Sequence, residues 1–352
     1  MKNFPIEIES ILKRIDQIDP KKYRDTRNFE HGSVSYLSPY ISRGVLSTKF
    51  VYKRLLSNGF DLNNAEKFIQ ELAWRDFFQQ VWLFQDIFND VKNTQERVKY
   101  HGVPKQVLEA NTGIKAMDKA ILELYQTGYM HNHMRMYVAS LCCNVFGCHW
   151  KGPAQWMYYH LLDGDLASNH LSWQWVAGAF SNKKYWVTQK NINLHFELKQ
   201  SESILTKASY DDLEIEISTT QFDAQIPLKE NPKLENRPTL IYNSYNLDPF
   251  WHEQQEYQRV LLIEPSKAKI FPVKAKVLEF VLGLSKNIEG IKVFFGEFSA
   301  LNKLIQEDNL YYKEHPLNTN YQGNCEQRDW LAQTQTYFPS FFKYWKRIKV
   351  DL

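Results

Sequence analysis

Through the first two hundred residues apolar positions recur at helical spacing, and after a polar gap they regroup into short extended runs. Ile8, Ile11, Leu12 and Ile15 predict an amphipathic helix within residues 4–20. Further helices are expected over 41–58, over 64–88, from Thr112-Gly113 to about Thr127, over Tyr137–Phe146, over Pro153–Leu162, and onward from about Leu166. Tyr23 to His31 is polar and charged and reads as a loop, as does the stretch around Gly102 and Pro104. Ser201 to Asn236 is irregular and acidic. Beyond it, Leu240–Tyr242, Val260–Ile263 and Val293–Phe295 are short and β-branched or aromatic, and a helical segment with Val277, Phe280, Val281 and Leu284 separates the last two. That alternation predicts a small α/β domain with a parallel sheet. The expected architecture is α plus α/β: an all-helical domain over 1–200, an irregular linker over 201–236, and the α/β domain over 237–352.

Charge and cysteine usage narrow the partners only slightly. The net charge is +3, but residues 1–200 hold 25 Lys and Arg against 19 Asp and Glu, and the remainder 18 against 21. A mildly basic first part suits a polyanion groove and suits an ordinary solvated surface equally well. Cys142, Cys143, Cys148 and Cys325 contain no CxxC pair for zinc and match no iron–sulfur spacing, so buried, reduced thiols are expected. The N-terminus has no apolar signal core and no long apolar run follows, which predicts a soluble, cytoplasmic protein without membrane contact.

Candidate chemistry is crowded into four stretches. Gly32 to Tyr40 is rich in small hydroxyl residues just where a helix begins, a place that can hold a phosphate or simply cap the helix. Glu71, Trp74, Arg75 and Phe78 share one side of a helix, and an intrahelical ion pair over a core face is the plainer account of them. Asn132, Arg135 and Met136 fall on one face, whereas His131 and His133, two apart, cannot meet one metal from a helix, so no metal site is expected. Asp163 to Trp175 is the densest stretch, with Asp165 just before a helix face carrying Asn169 and Trp173. Such a face can present an acid, an amide and an indole to one flat ligand.

Taken together, residues 4–197 resemble the flavin-binding helical domain of the DNA photolyase and cryptochrome family. Ser35-Tyr36-Leu37-Ser38-Pro39-Tyr40 followed by Arg43-Gly44 loosely matches its flavin-phosphate loop, and Glu71 to Asp76 matches its E-L-x-W-R-D helix. Thr127 to Met136 matches T-G-x-M-H-N-x-x-R-M, and Asp163 to Trp175 matches D-G-D-L-A-x-N followed by W-x-W. The resemblance implies an FAD held by Tyr23, Ser35, Leu37, Ser38, Arg75, Arg135, Asp163 and Asp165, with Asn169 as the amide facing flavin N5. It also implies a pocket for a flipped pyrimidine dimer: Trp74 and Trp175 flank it, Glu71, Asn132 and Met136 touch it, and His133 replaces a basic DNA contact. Damaged DNA is then the partner, and the implied reaction is electron donation from excited reduced flavin, splitting of the cyclobutane ring, and return of the electron. Glu71 would stabilise the dimer radical anion.

The resemblance carries over a tryptophan path as well. Trp173 is its proximal member and Trp150 its middle one, while the distal position falls on Arg97 or, if shifted, on Tyr100. An α/β antenna domain usually precedes the helical one in this family, and here an α/β segment follows it instead. That segment reads as an antenna-like domain at the other end or as the relic of one; with no Gly-rich signature it is assigned no nucleotide, and the antenna chromophore is left unassigned. A monomer is expected, with a separate chain as one source of an antenna domain. A cryptochrome-like blue-light receptor without repair is the competing expectation.

Overall fold

The computed structural model describes residues 4–210, 212–219, 221–224, 226, 230–334 and 336–352. Parts of the irregular stretch expected over 201–236 thus lie outside the described residues. The first two hundred residues form α1 (Ile8–Asp16), α2 (Pro20–Thr26), α3 (Ser38–Ser42), α4 (Thr48–Ser57), α5 (Leu62–Phe84), α6 (Lys105–Leu108), α7 (Lys115–Thr127), α8 (Asn132–Ser140), α9 (Lys151–His160), α10 (Leu166–Ala177) and α11 (Gln189–His195). A two-residue strand, β1 (Val103–Pro104), pairs antiparallel with β2 (Ile217–Ser218) and ties the irregular stretch to the helices.

The helix ends explain where the sequence reading slipped. Part of the expected Tyr23–His31 loop is helical, because the Asp19 side chain accepts from the Lys22 N–H and Pro20 occupies the first helical position. The helix expected over 41–58 is two: Gly44 takes a positive φ of 63° and the Ser47 hydroxyl caps a new start by accepting from the Phe50 N–H. α5 stops at Phe84 rather than 88, since Gln85 is extended. The expected 137–146 helix is the tail of α8 running into a π-turn over Leu141–Val145. Cys142, Cys143 and Cys148 are buried there, and burial pushes their thiols up; Cys325 is exposed, contrary to expectation.

The second part is a five-stranded parallel sheet in the order β5-β4-β3-β6-β7: β3 (Thr239–Tyr242), β4 (Gln258–Ile263), β5 (Lys292–Phe295), β6 (Leu310–Lys313) and β7 (Asn324–Glu326). Helices α12 (Pro265–Ile270), α13 (Ala275–Ser285), α14 (Phe298–Asn302) and α15 (Phe341–Ile348) accompany it. Three strands were expected and five are described; β6 alternates in burial, and β7 is short and polar. Alternate residues of β3 serve different cores. Ile241 packs with Val260, Leu262 and Phe294 on one face, while Leu240 and Tyr242 join Ile11, Tyr40, Phe77, Phe280 and Tyr344 on the other. Helices and sheet therefore share one hydrophobic core. Among the described residues no helix is long and apolar enough to cross a membrane.

The carboxyl ends of the strands face the helices. This is the end, at the reversal between β3 and β6, where open α/β sheets bind ligands. Here Tyr245 and His315 fill it, with ring centroids 4.4 Å apart and His315 edge-on to Trp82 of α5 at 5.1 Å. The Tyr245 hydroxyl accepts from the Leu166 N–H at 3.1 Å, and the Leu247 N–H donates to the Arg43 carbonyl at 3.0 Å. Gly44 passes so close that a Cβ on it would meet the Tyr245 carbonyl oxygen at 2.2 Å. Gly44→Ala should therefore destabilise the protein by about 2–5 kcal/mol, combining left-handed strain with overpacking, as read from the midpoint of urea unfolding.

Candidate functional site

A cavity of about 690 Å³ opens between the Val34–Ser38 loop, α5, α8 and α10. Its volume lies in the range of roughly 300–1,000 Å³ typical of cofactor sites. Asp163 and Asp165 lie at its floor on either side of Gly164, just before α10. Arg135 spans both Asp163 oxygens from one nitrogen, at 3.0 and 2.9 Å, and Ser38 donates to the same carboxylate at 2.6 Å. Burial pushes the Asp163 carboxyl up, but the Arg135 charge and hydrogen bonds, with Ser38 and Arg75, outweigh it and hold the group below its usual range. Asp163 is therefore a fixed anion whose position is set from three directions.

The surrounding side chains orient this pair. Arg135 also donates through Nε to the Met130 carbonyl at 2.8 Å and packs over the Tyr129 ring. Arg43, fully buried, donates to the carbonyls of Leu162 and Leu161, and Ser42 donates to the Asp163 carbonyl, so the turn before Asp163 is clamped by the corner ahead of Gly44. Asp165 caps α10 through the Ser168 N–H at 2.6 Å and accepts from Gln79 at 2.6 Å. Arg75 lies 3.9 Å from the Asp165 oxygen. Arg75 thus turns toward Asp165, while Glu71 pairs with Lys67 at 2.9 Å and Arg27 at 3.7 Å. The plainer reading of an ion pair between Glu71 and Arg75 does not hold.

Nearly every residue singled out in the sequence faces this one space. Tyr23, Ser35, Leu37, Ser38, Glu71, Trp74, Arg75, Asn132, Arg135, Met136, Asp163, Asp165, Asn169, Trp173 and Trp175 all line it. The Asn169 amide donates to the Ala154 carbonyl at 2.9 Å, which fixes its plane. Tyr36 sits in the left-handed region, φ 52°, a strained conformation for an aromatic residue that aims the loop carrying Ser35 and Ser38. His133 and Trp150, like the distal candidates Arg97 and Tyr100, do not line the cavity. His133 places Nε2 2.9 Å from the Tyr137 hydroxyl, with its ring 4.5 Å from His195, and burial together with His195 lowers its pKa to about 4. Trp150 is fully buried away from the cavity, donating to Asp90 at 2.6 Å and packing edge-on to His170.

Other lining residues escaped the sequence reading. Phe68 and Arg27 come from recognised segments, and Ser168 sits beside Asn169, its buried hydroxyl without a protein partner. Phe342 reaches in from α15, and nothing in its local sequence signals that.

Part of the chain that lines this cavity matches a known family model. Residues 68–204 match the FAD binding domain of DNA photolyase. That stretch is thus similar to a photolyase-type FAD-binding domain. Its cofactor is FAD, and the donor set fits: a fixed anion beside a guanidinium, cavity-facing hydroxyls and a buried orphan hydroxyl suit a ligand that both accepts and donates hydrogen bonds. Among curated relatives, the deoxyribodipyrimidine photo-lyase of Alkalihalophilus pseudofirmus is 30% identical over 48% of this chain and 37% of its own length. That of Vibrio cholerae is 32% identical over 44% of this chain and 35% of its own. The chain thus spans little more than a third of these two relatives. Among solved structures, the cryptochrome of Synechocystis sp. PCC6803 aligns at 26% identity over 55% of this chain and 44% of its own, with a TM-score of 0.46.

Two outcomes follow for the photolyase-type domain. Asp163→Asn leaves Arg135 buried without its counter-charge, so the variant should lose about 3–5 kcal/mol of stability and copurify with little flavin, read by absorbance per protein. His170 is buried and burial depresses its pKa to about 4, with its Nδ1 held at 2.9 Å from the Leu166 carbonyl. Its contribution is complete above the unfolded value of about 6.5 and is lost as pH falls toward 4, on the order of 3 kcal/mol. Unfolding midpoints for wild type should drop over that interval by more than those of His170→Gln.

Proposed function

We propose that this chain is a light-driven, FAD-dependent enzyme that splits cyclobutane pyrimidine dimers in DNA. The observation carrying the reading is that Glu71, Trp74, Asn132, Met136 and Trp175 line the same cavity as Asp163 and Arg135. A pocket that holds a flipped base needs stacking faces and a few hydrogen-bonding groups at its mouth, and flipping is least costly for a damaged base. Trp175, 40% exposed, offers such a face, its other side resting on Tyr185 at 6.0 Å. Trp74 is stacked on Phe341 at 3.8 Å, so one of its faces is already fixed. Glu71, steadied by Lys67 and Arg27, is the group placed to hydrogen-bond the dimer and stabilise negative charge developing on it.

FAD, bound and reduced, supplies the photoexcited electron for ring opening. The chain's own work is to seat the dimer, exclude water and hold charge in a low-dielectric site. Damaged DNA is then the partner, acted on by a monomer. We retain residues 1–200 as the catalytic unit, 201–236 as connector and 237–352 as a second unit. Tyr245 and His315 occupy the ligand end of its sheet, which favours a supporting role.

A blue-light receptor without repair is the second reading, and the outer end of the tryptophan path favours it. Trp150 has ring neighbours His149 and His170, and among the described residues no third tryptophan is in ring contact with it. Tyr100 is near in chain path, its carbonyl accepting from the His149 N–H at 2.9 Å. The two readings part in one assay: reduced protein and a dimer-containing oligonucleotide, single- or double-stranded, under blue light. Dimers should disappear only in the light, and Glu71→Gln should slow this roughly a hundredfold at unchanged flavin content. Flavin-loaded protein that leaves every dimer intact under light sinks the repair reading.

A further inference from the structure

α15 reaches the cavity from far outside the family match. It buries Phe341, Tyr344, Trp345 and Ile348 at the spacing of one helix face. Phe341 lies flat on Trp74, with an interplanar angle of 8°, and edge-on to Phe77 at 6.0 Å. Lys349 is bonded to Glu66 at 2.6 Å, and the Tyr52 hydroxyl donates to the Leu352 carbonyl at 2.5 Å. The helix is thus held from both ends.

This anchoring leaves the next residue displayed. Phe342 is 72% exposed and still lines the cavity. A lone exposed phenylalanine is ordinary on a protein surface. One held on a cavity that Trp175, 40% exposed, also lines, and following the residue stacked on Trp74, is better explained by a flat partner. The charges beside it point the same way. Lys343 and Lys346 are exposed and have no ion-pair partner among the described residues, whereas Arg347 and Lys349 are engaged by Asp351 and Glu66. A ring face flanked by uncommitted cations is the surface to which a nucleic-acid strand binds, bases on the ring and phosphates on the amines.

We propose that α15 is part of the substrate surface: Phe342 stacks on a base at the cavity mouth, and Lys343 and Lys346 contact the adjoining phosphates. This rests on the repair reading above. The test is dark binding of flavin-loaded protein to single-stranded oligonucleotides with and without one thymine dimer. Phe342→Ala should bind the dimer-containing strand roughly tenfold more weakly, with flavin absorbance and melting temperature unchanged. Phe342→Trp should restore binding, and Val350→Ala, exposed but outside the cavity, should match wild type. The double change Lys343→Gln and Lys346→Gln should weaken both strands and flatten the salt dependence. If Phe342→Ala binds like wild type while Trp175→Ala loses affinity, α15 is not part of the surface and this proposal alone is overturned. If wild type does not prefer the dimer-containing strand, the repair reading is overturned with it.

Discussion

One buried carboxylate, Asp163, sets the geometry on which the cavity depends. A charge taken out of water must be repaid by close partners, and Asp163 draws Ser38 from the start of α3 and Arg135 from α8 to the same point. Two residues on, Asp165 is held differently, by the start of its own helix and by Gln79 of α5. Gly164 between them packs tightly: a Cβ there would meet the Leu161 carbonyl at 3.1 Å. The two acids can therefore point to separate tasks while remaining two residues apart in sequence.

α5 divides the labour along its length. Lys67 and Glu71 face the rim, Trp74 and Arg75 the cavity, and Asp76 the opposite side. Asp76 accepts from Thr48 and from the Leu331 N–H, and burial raises its carboxyl to about 6 despite these bonds. Gln79 relays from Asp165 to Arg328, which is itself paired with Glu314 after β6. The flavin floor is thereby tied, through two side chains, to the ends of strands in the sheet.

How much of this could be read beforehand depended on how local its cause was. The density of polar and aromatic groups in Asp163–Trp175 and Glu71–Asp76 reflects chemistry written within one or two helical turns, and those residues do converge. β3 and β4 were legible because buried parallel strands are near-continuously apolar, and β5 through its Val-Phe-Phe run; β6 and β7, whose burial alternates or fails, were not. Gly44 looked like part of a helix because its left-handed turn answers to Tyr245, two hundred residues away. Phe342 shows the same limit: a phenylalanine with no motif lines the cavity.

The stacking of Phe341 on Trp74 also bears on how the chain comes to be folded. The Leu331 N–H to Asp76 bond closes a loop of 255 residues, and the Tyr52 to Leu352 bond one of 300. Contacts so distant along the chain pay their closure entropy before they return any energy, and proteins dominated by them fold slowly. During biosynthesis the face of Trp74 that Phe341 covers stays open until residues near 341 have been made. The stretch of cavity wall formed by Trp74 and α15 is thus among the last parts to close.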